Sequence, residues 1–495
     1  MAFAVHEFFQ VRQRGSTIGR EAIGGLTTFM AMSYIVFVQP AVLSKAGMDP
    51  NGVFMATCLS SAAACILMGL LANYPIALAP GMGENFFFVF TLCGVGAAAA
   101  AATAPATGPT TAAATTAAVP FRLTWQEALA LTAAVGVVFL MLSTVGFRAM
   151  LLNAIPDALK SGIAAGIGLF IALIGFEWGN VIKAHPATLV TLADLSGNYV
   201  LLLTLLGLGV TLLLMAFRLR GAILVGILVT ALATWVVGKV WGFETIGFPE
   251  KWELPKGLAK TAGAFWGGFG SLGGKLFSRH ALEVLSFAFI LLFMDLFDTV
   301  GTLVGVANRA GLMREGKLPR AEHALAADAA GTVVGGCLGT STVTSYIESI
   351  TGVSAGAKTG LAAIVAGLCM LVTLLFQPVV VAVGGGVKIG QTLDGDPILR
   401  YPMIAPALIV VGAMMIRAIR QVEWEDITEA VPAFLAMVTI PFTYSIATGI
   451  AIGFISYAFG KLVTGRVKQC PIIVYVFAVL FVVQYVVGIA TKAIH

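Results

Sequence analysis

LSFAFILLFMDLFDTVGTLVGV, residues 285–306, is long and apolar enough to cross a bilayer, yet it carries two acids, Asp295 and Asp298, near its middle. A carboxylate at the centre of a bilayer costs roughly 2.5–3.5 kcal/mol on insertion scales. With Glu348 the total reaches on the order of 8–10 kcal/mol, comparable to the net stability of an entire fold. Acids this costly persist where they face a hydrated cavity and handle an ion or a polar ligand. The stretch therefore predicts a membrane bundle with a polar site at mid-depth.

The rest of the chain agrees with that reading. Of its 495 residues 59% are hydrophobic and 11% charged, with a mean hydropathy of +0.96, far from the roughly 25% charged content of soluble domains. Apolar runs recur from residue 21 to residue 492, and at about 20 residues per crossing they amount to about fourteen spans. The expected class is an all-α polytopic membrane protein without a separate soluble domain. The formal charge of +5 comes mostly from basic loop residues, which the positive-inside rule explains without a nucleic-acid partner. Arg12, Arg14 and Arg20 precede the first apolar run, and Arg218, Arg220, Arg309, Arg314, Lys317, Arg320, Arg417 and Arg420 mark later loops on the same side. This predicts a multi-pass protein of the cytoplasmic membrane with its N-terminus in the cytoplasm, and the first 20 residues lack the pattern of a removable signal peptide. Cys58, Cys65, Cys93, Cys337, Cys369 and Cys470 form no CxxC pair and read as packing residues, and the scattered histidines give no metal site.

Spans are expected near 21–42, 53–72, 77–95, 124–146, 157–176, 198–217 and 221–241. A polar, Gly-rich connecting loop follows at 242–280. The second series is expected near 281–307, 323–338, 341–355, 359–384, 402–419, 428–463 and 471–492, with Pro441 as a point where 428–463 could split into a hairpin. The Ala/Thr/Pro-rich stretch 97–119 reads as a non-cytoplasmic loop insertion. The two series share one offset of 264 residues. FMA at 29–31 matches FMD at 293–295, KAGM at 45–48 matches RAGL at 309–312, and Glu84 matches Glu348. A repeat with an odd number of spans must insert upside down relative to its partner, which is the inverted-repeat architecture of secondary transporters.

In corresponding places the halves carry their least helical membrane segments, LANYPIALAPGMGENFFFVF at 71–90 and GGCLGTSTVTSYIESITGVSAG at 335–356. Pro75, Pro80, Gly81 and Gly83 in the first, and Thr340, Thr342, Val343 and Thr344 in the second, favour extended backbone followed by a half-helix. Interrupted segments paired in this way point to a mid-membrane site, with Asn85 and Glu348 as side-chain partners for a ligand. Asp295 and Asp298, at i and i+3, share one helix face, so either both see one cavity or one of them braces a neighbouring helix. Asp328, among small residues, reads as structural. Phe86, Phe87 and Phe88 suit either stacking on a planar ligand or packing in the bundle.

APGMGEN, MDLFDTVGTLVGVANRAGL, LAADAAGTVVGG and GTSTVTSYIESITGVSAGAKTGL resemble the signatures of the nucleobase:cation symporter-2 proteins (nucleobase/ascorbate transporters), in particular the AzgA-like purine permeases, over about residues 18–490. The resemblance implies fourteen segments as a 7+7 inverted repeat. A core domain would comprise 1–146 and 281–384, and a gate domain 147–241 and 385–495. It implies a site between the third and tenth segments and transport roles for Gly83, Asn85, Asp295, Asp298 and Glu348. Relatives of this kind usually carry an apolar residue where this chain has Glu84 and a small one where it has Phe86, which makes Glu84 a candidate modifier of specificity or proton stoichiometry.

A purine base is planar and edged with N–H donors and ring-nitrogen acceptors, so a carboxylate and an amide can pair with its edge while an aromatic ring covers its face. The expected substrate contacts are Glu348, Asn85, Gly83, Asp295, Phe86, Phe87 and Thr344, with Asp298 first and Asp295 second as the proton-coupling group. The expected activity is proton-coupled symport of adenine, guanine, hypoxanthine or xanthine by elevator-like alternating access, the expected partners being the bilayer and a second copy in a homodimer. No cofactor is implied beyond an ion gradient, of protons or of sodium. The alternatives are a symporter for a pyrimidine base or an anion, and a channel. An intramembrane aspartyl protease would need facing aspartates and a GxGD motif, which this chain lacks, so no enzyme is expected.

Overall fold

The computed structural model describes residues 7–95, 121–144, 155–186, 188–242, 255–278, 280–313, 318–391 and 397–494. The Ala/Thr/Pro-rich stretch and the basic residues Arg314 and Lys317 lie outside them. The chain is mostly helical. The first apolar run becomes α1 (Ile18–Met32) and α2 (Ile35–Leu43), a single rod interrupted at Ser33 and Tyr34. Thr17 caps α1 through the Arg20 N–H, and the rod ends at Gly47, whose φ of +85° closes the last turn as few other residues could. Asp49 and Pro50 then start α3 (Pro50–Leu67), the aspartate accepting from the Gly52 N–H at 2.9 Å. A π-helical turn at Met68–Ala72 leads to Asn73 (φ +58°), the strand β1 (Leu78–Pro80) and the short helix α4 (Met82–Phe86), prolonged by π-helical turns to Leu92.

Helices α5 (Trp125–Thr144) and α6 (Asp157–Trp178) follow. A two-stranded ribbon, β2 (Ile182–His185) with β3 (Leu189–Leu192), joins α6 to α7 (Tyr199–Ala216) and α8 (Ala222–Trp241). The second half opens with α9 (Leu258–Thr261), α10 (Ala264–Leu276) and α11 (Ala281–Ala310). Like α2, α11 ends on a left-handed glycine, Gly311, 264 residues beyond Gly47, so the repeat offset is carried into the caps. Then come α12 (Ala321–Leu338), β4 (Val343–Ser345), α13 (Ser349–Ser354), α14 (Gly360–Thr373) and α15 (Gln377–Gly384). The ribbon of β5 (Val387–Gln391) and β6 (Pro397–Arg400) precedes α16 (Ala405–Met415), α17 (Ile427–Thr443), α18 (Ile446–Val463) and α19 (Ile472–Ile494).

Small residues set the helix crossings. A Cβ on Gly360 would lie 2.7 Å from the Gly69 Cα, and one on Gly162 would lie 2.7 Å from the Ala433 Cα. Backbones therefore meet directly where the π-helical turn after α3 crosses the start of α14 and where α6 crosses α17. The N-terminus of α14 is held by a buried carboxylate, since Glu21 accepts from the Lys358 and Thr359 N–H groups at 3.0 and 3.1 Å.

Three expectations change in detail. The connector 242–280, expected as a loop, contains α10, whose Phe265, Gly268 and Leu272 are buried, Gly268 lying directly against the Gln126 carbonyl. The run 428–463 is a hairpin, and it turns at Tyr444 (φ +50°), three residues beyond Pro441. In that hairpin Gly453 packs on Ala436, and the buried Lys461 pairs with Glu429 at 2.7 Å. Among the described residues nine helices are long and apolar enough to cross a membrane. The expected total of about fourteen also counts α12, α16, α19 and the two strand-led segments, which do not meet that length and apolarity among the described residues.

Candidate functional site

Strands β1 and β4 meet in the middle of the bundle as an antiparallel pair, Leu78 opposite Ser345 and Pro80 opposite Val343. The expected lead-in of extended backbone before each half-helix is thus a single ribbon made by the two halves. Additional bonds from Gly81 N–H to the Thr342 carbonyl (3.0 Å) and from Tyr346 N–H to the Ala77 carbonyl (2.9 Å) extend it. A two-stranded ribbon has two open edges, which inside a membrane cost several kcal/mol per unpaired group. Side chains close them here. Cys65 of α3 meets both the N–H and the carbonyl of Leu78, at 3.1 and 3.3 Å, and Thr332 of α12 meets both groups of Val343, at 3.1 and 3.0 Å.

The acids gather around this ribbon. Glu348, at the start of α13, accepts through Oε1 from the Tyr34 hydroxyl at 2.8 Å, and Tyr34 sits in the break between α1 and α2. Asp298 of α11 lies within electrostatic range of Glu348, Tyr34 and Tyr346. Glu84 of α4 is within range of Asp298 and Asp328. The Tyr346 hydroxyl donates to the Pro80 carbonyl at 2.6 Å. Asp298 and Glu348 keep partial accessibility, and beside them Gly301, Val304 and Ile347 are exposed, so the cluster opens toward the Arg309 end of α11.

Asn85 is fully buried and accepts through Oδ1 from the Ser341 hydroxyl. Gln39 of α2 donates to Thr340 and Ser341 at 2.7 and 3.1 Å. The Asn85 amide nitrogen has no hydrogen-bond partner among the described residues, which leaves a buried donor next to the acids. Gly83 faces Ile167 of α6, its missing Cβ standing 3.2 Å from the Ile167 Cγ2. The Thr344 hydroxyl is shared with Thr299 at 2.8 Å, and Thr299 donates to Asp328 at 2.7 Å. Asp328 thus ties α11, α12 and, through Ser345 at 3.4 Å, β4.

The two aspartates of α11 differ in surroundings. Asp295 is fully buried and lies 3.3 Å from the Thr332 hydroxyl, the group that closes the β4 edge, so it braces the ribbon. Phe86 and Phe87 diverge. The Phe86 ring packs with Phe90 and Phe170, which reach Tyr444, whereas Phe87 packs edge-on to Phe287. The sequence pattern alone does not single out Tyr34, Ser341 or Gln39. For Tyr34 a signal existed: the 264 offset that pairs Glu84 with Glu348 also pairs Tyr34 with Asp298.

A sequence profile described as "Permease family" matches residues 19–452. The chain is 40% identical over 488 residues to the guanine/hypoxanthine permease PbuG of Bacillus subtilis (strain 168), covering 97% of this chain and 99% of that one. It is 38% identical over 479 residues to the adenine permease AdeP of Escherichia coli (strain K12), covering 97% and 95%. Its fold is similar to that of the transmembrane domain of the cyanobacterial bicarbonate transporter BicA, with a TM-score of 0.55 at 13% identity over 87% of this chain and 96% of that one.

Proposed function

This chain belongs to the nucleobase/ascorbate transporter family of permeases and is an integral membrane protein, not an enzyme; from that premise we propose that it takes up purine bases by proton-coupled symport across the cytoplasmic membrane. The observation that carries this reading is the convergence of acidic and amide groups from both halves, Glu348, Asp298, Glu84 and Asn85, on one buried ribbon. Relatives named as guanine/hypoxanthine and adenine permeases align over nearly the whole chain, which supports a purine over a pyrimidine or an anion.

Glu348 accepts an N–H from the base, held in place by the Tyr34 hydroxyl, while the free Asn85 amide donates to a ring nitrogen or exocyclic oxygen. Gly83 lets the base approach the backbone of α4. Asp298, partly accessible and beside Glu348, takes and releases the coupling proton. Asp295 and Thr344 hold the ribbon behind the contact surface, and Phe86 and Phe87 give the pocket apolar walls. A core domain of α1–α5 and α11–α15 moves against a gate domain of α6–α8 and α16–α19, carrying the base from one face to the other as in an elevator. The N-terminus lies in the cytoplasm and two copies form a homodimer.

The test is uptake of radiolabelled adenine, guanine, hypoxanthine, xanthine, uracil and sulfate into proteoliposomes, with and without an inward proton gradient, in sodium-free and in sodium-containing buffer. Accumulation of a purine that depends on the gradient is expected. Accumulation only with sodium, only of uracil or an anion, or only downhill would overturn the corresponding part of the reading.

A further inference from the structure

Glu84 is placed where a solvating partner is hard to find. It is 1% exposed, and its Oε2 has no hydrogen-bond partner among the described residues. The side chain folds back over Gly81, its Oε2 occupying the space a Cβ there would need, close to the Thr344 methyl group. The titratable groups that face it come from three elements, Asp298 on α11, Asp328 on α12 and Tyr346 ahead of α13. None of these carries a positive charge. An ionised carboxylate in such surroundings has neither a cation nor a full set of donors to offset its lost hydration, and no group of three or more acid, His or Cys side chains that could hold a metal occurs among the described residues.

The repeat gives this position a partner. Tyr34 bonds to Glu348 across the two halves at 2.8 Å. Adding 264 to Tyr34 gives Asp298, and subtracting 264 from Glu348 gives Glu84. The pair Glu84 and Asp298 is therefore the repeat image of a bonded pair, with one difference: Tyr34 keeps its proton throughout, whereas Asp298 is an acid that can lose one.

We propose that Glu84 is a second proton-carrying residue of the transport cycle, exchanging a proton with Asp298 across the interface between the two halves. With both groups protonated, Asp298 first releases its own proton toward the accessible side; the proton of a Glu84 carboxyl oxygen then passes to the resulting carboxylate oxygen of Asp298, and the single negative charge of the pair moves the opposite way. When Asp298 then releases this second proton toward the accessible side, both carboxyl groups must be reloaded before the next cycle. The chain consequently moves one more proton per base than its Glu84→Leu variant. This rests on the reading that transport is coupled to protons.

The experiment compares wild type, Glu84→Gln and Glu84→Leu as full-length protein in sodium-free proteoliposomes, with the purine that wild type accumulates. A trapped pH-sensitive dye reports protons, radiolabel reports base, and base exchange at equal pH identifies the variants that are folded and bind. The expected result is a proton-to-base ratio lower by one in both variants, with exchange retained in at least one. A ratio equal to wild type in any exchanging variant overturns the proposal and leaves symport intact. Loss of exchange in both also overturns it, because Glu84 then serves the architecture or the base rather than the proton. Base uptake without proton movement in wild type sinks the symport reading itself.

Discussion

Tyr34 reaches Glu348 with a single hydroxyl, so the pair can be dissected by removing one atom. Tyr34→Phe leaves the ring in place and takes away the donor that fixes the carboxylate. A hydrogen bond to a charged group is worth about 1.5–3 kcal/mol, so the KM for the base should rise at least roughly tenfold while protein yield is unchanged. Uptake kinetics with a KM within twofold of wild type would show that Glu348 is oriented by something else. At Asp298 the expectation is different. Asp298→Asn preserves shape and loses the proton, so base exchange should continue while accumulation against a gradient disappears. Asp295 is the contrasting case, because its place beside Thr332 makes it a brace. Asp295→Asn keeps an acceptor for that hydroxyl and should retain the pH dependence of uptake. If Asp295→Asn instead abolishes proton-driven accumulation as Asp298→Asn does, the brace assignment is wrong. The sequence points to both acids and puts Asp298 before Asp295 for proton coupling, but it does not show what surrounds each, since one helical turn sets their spacing and only the neighbouring α12 sets their difference.

The hairpin of α17 and α18 shows how an element can be read only in outline from its residues. Pro441 pointed to a break, whereas the turn itself falls at Tyr444, where a left-handed residue reverses the chain. What holds the hairpin is a polar clasp. Lys461 bonds Glu429 at 2.7 Å and Thr428 at 2.8 Å, while Tyr457 donates to Glu429 at 2.8 Å. Removing one member of a buried ion pair leaves the other uncompensated. Lys461→Met should therefore lower the thermal midpoint in detergent by several degrees, and adding Glu429→Leu should recover part of it. A double variant no better than the single one would mean the pair adds nothing beyond its packing. At the mouth of the hairpin, hydrogen bonds from the Thr428 hydroxyl and N–H, together with Arg466, hold the Asp426 carboxyl below the usual carboxylate range. The contribution of this cap is complete above about pH 4, the unfolded value, and is lost as pH falls through the lower folded value. Amide exchange at the start of α17 should thus be unchanged between pH 7 and pH 5 and accelerate relative to neighbouring helices only below about pH 4.

On the scale of the whole molecule, the proposed elevator movement would slide the core helices past the gate helices, and Lys45 supplies a handle for testing it. Its ammonium stands 4.8 Å from the Tyr401 ring and 5.7 Å from the Trp178 ring, linking the end of α2 to the ends of α6 and β6. A short bismaleimide bridging Lys45→Cys and Tyr401→Cys should arrest uptake, while either cysteine alone, treated identically, should not. Full transport in the bridged protein would rule out sliding at this seam. The amino-acid sequence by itself determined that this chain lives in a bilayer, that it is built twice with an offset of 264, and that each copy breaks its helix at a Pro/Gly-rich or Thr-rich segment beside an acid. These are local properties, fixed by the transfer free energy of each side chain and by the backbone preferences of Pro, Gly and β-branched residues. Only the tertiary structure decided that the two broken segments pair as one ribbon, that Cys65 and Thr332 close its edges, and that Tyr34 meets Glu348 across 314 residues of chain. A hydrogen-bond partner so remote leaves no periodicity to read, because the need of a buried polar group for a partner is set by its own chemistry, while the identity of that partner is set by the packing of the helices around it.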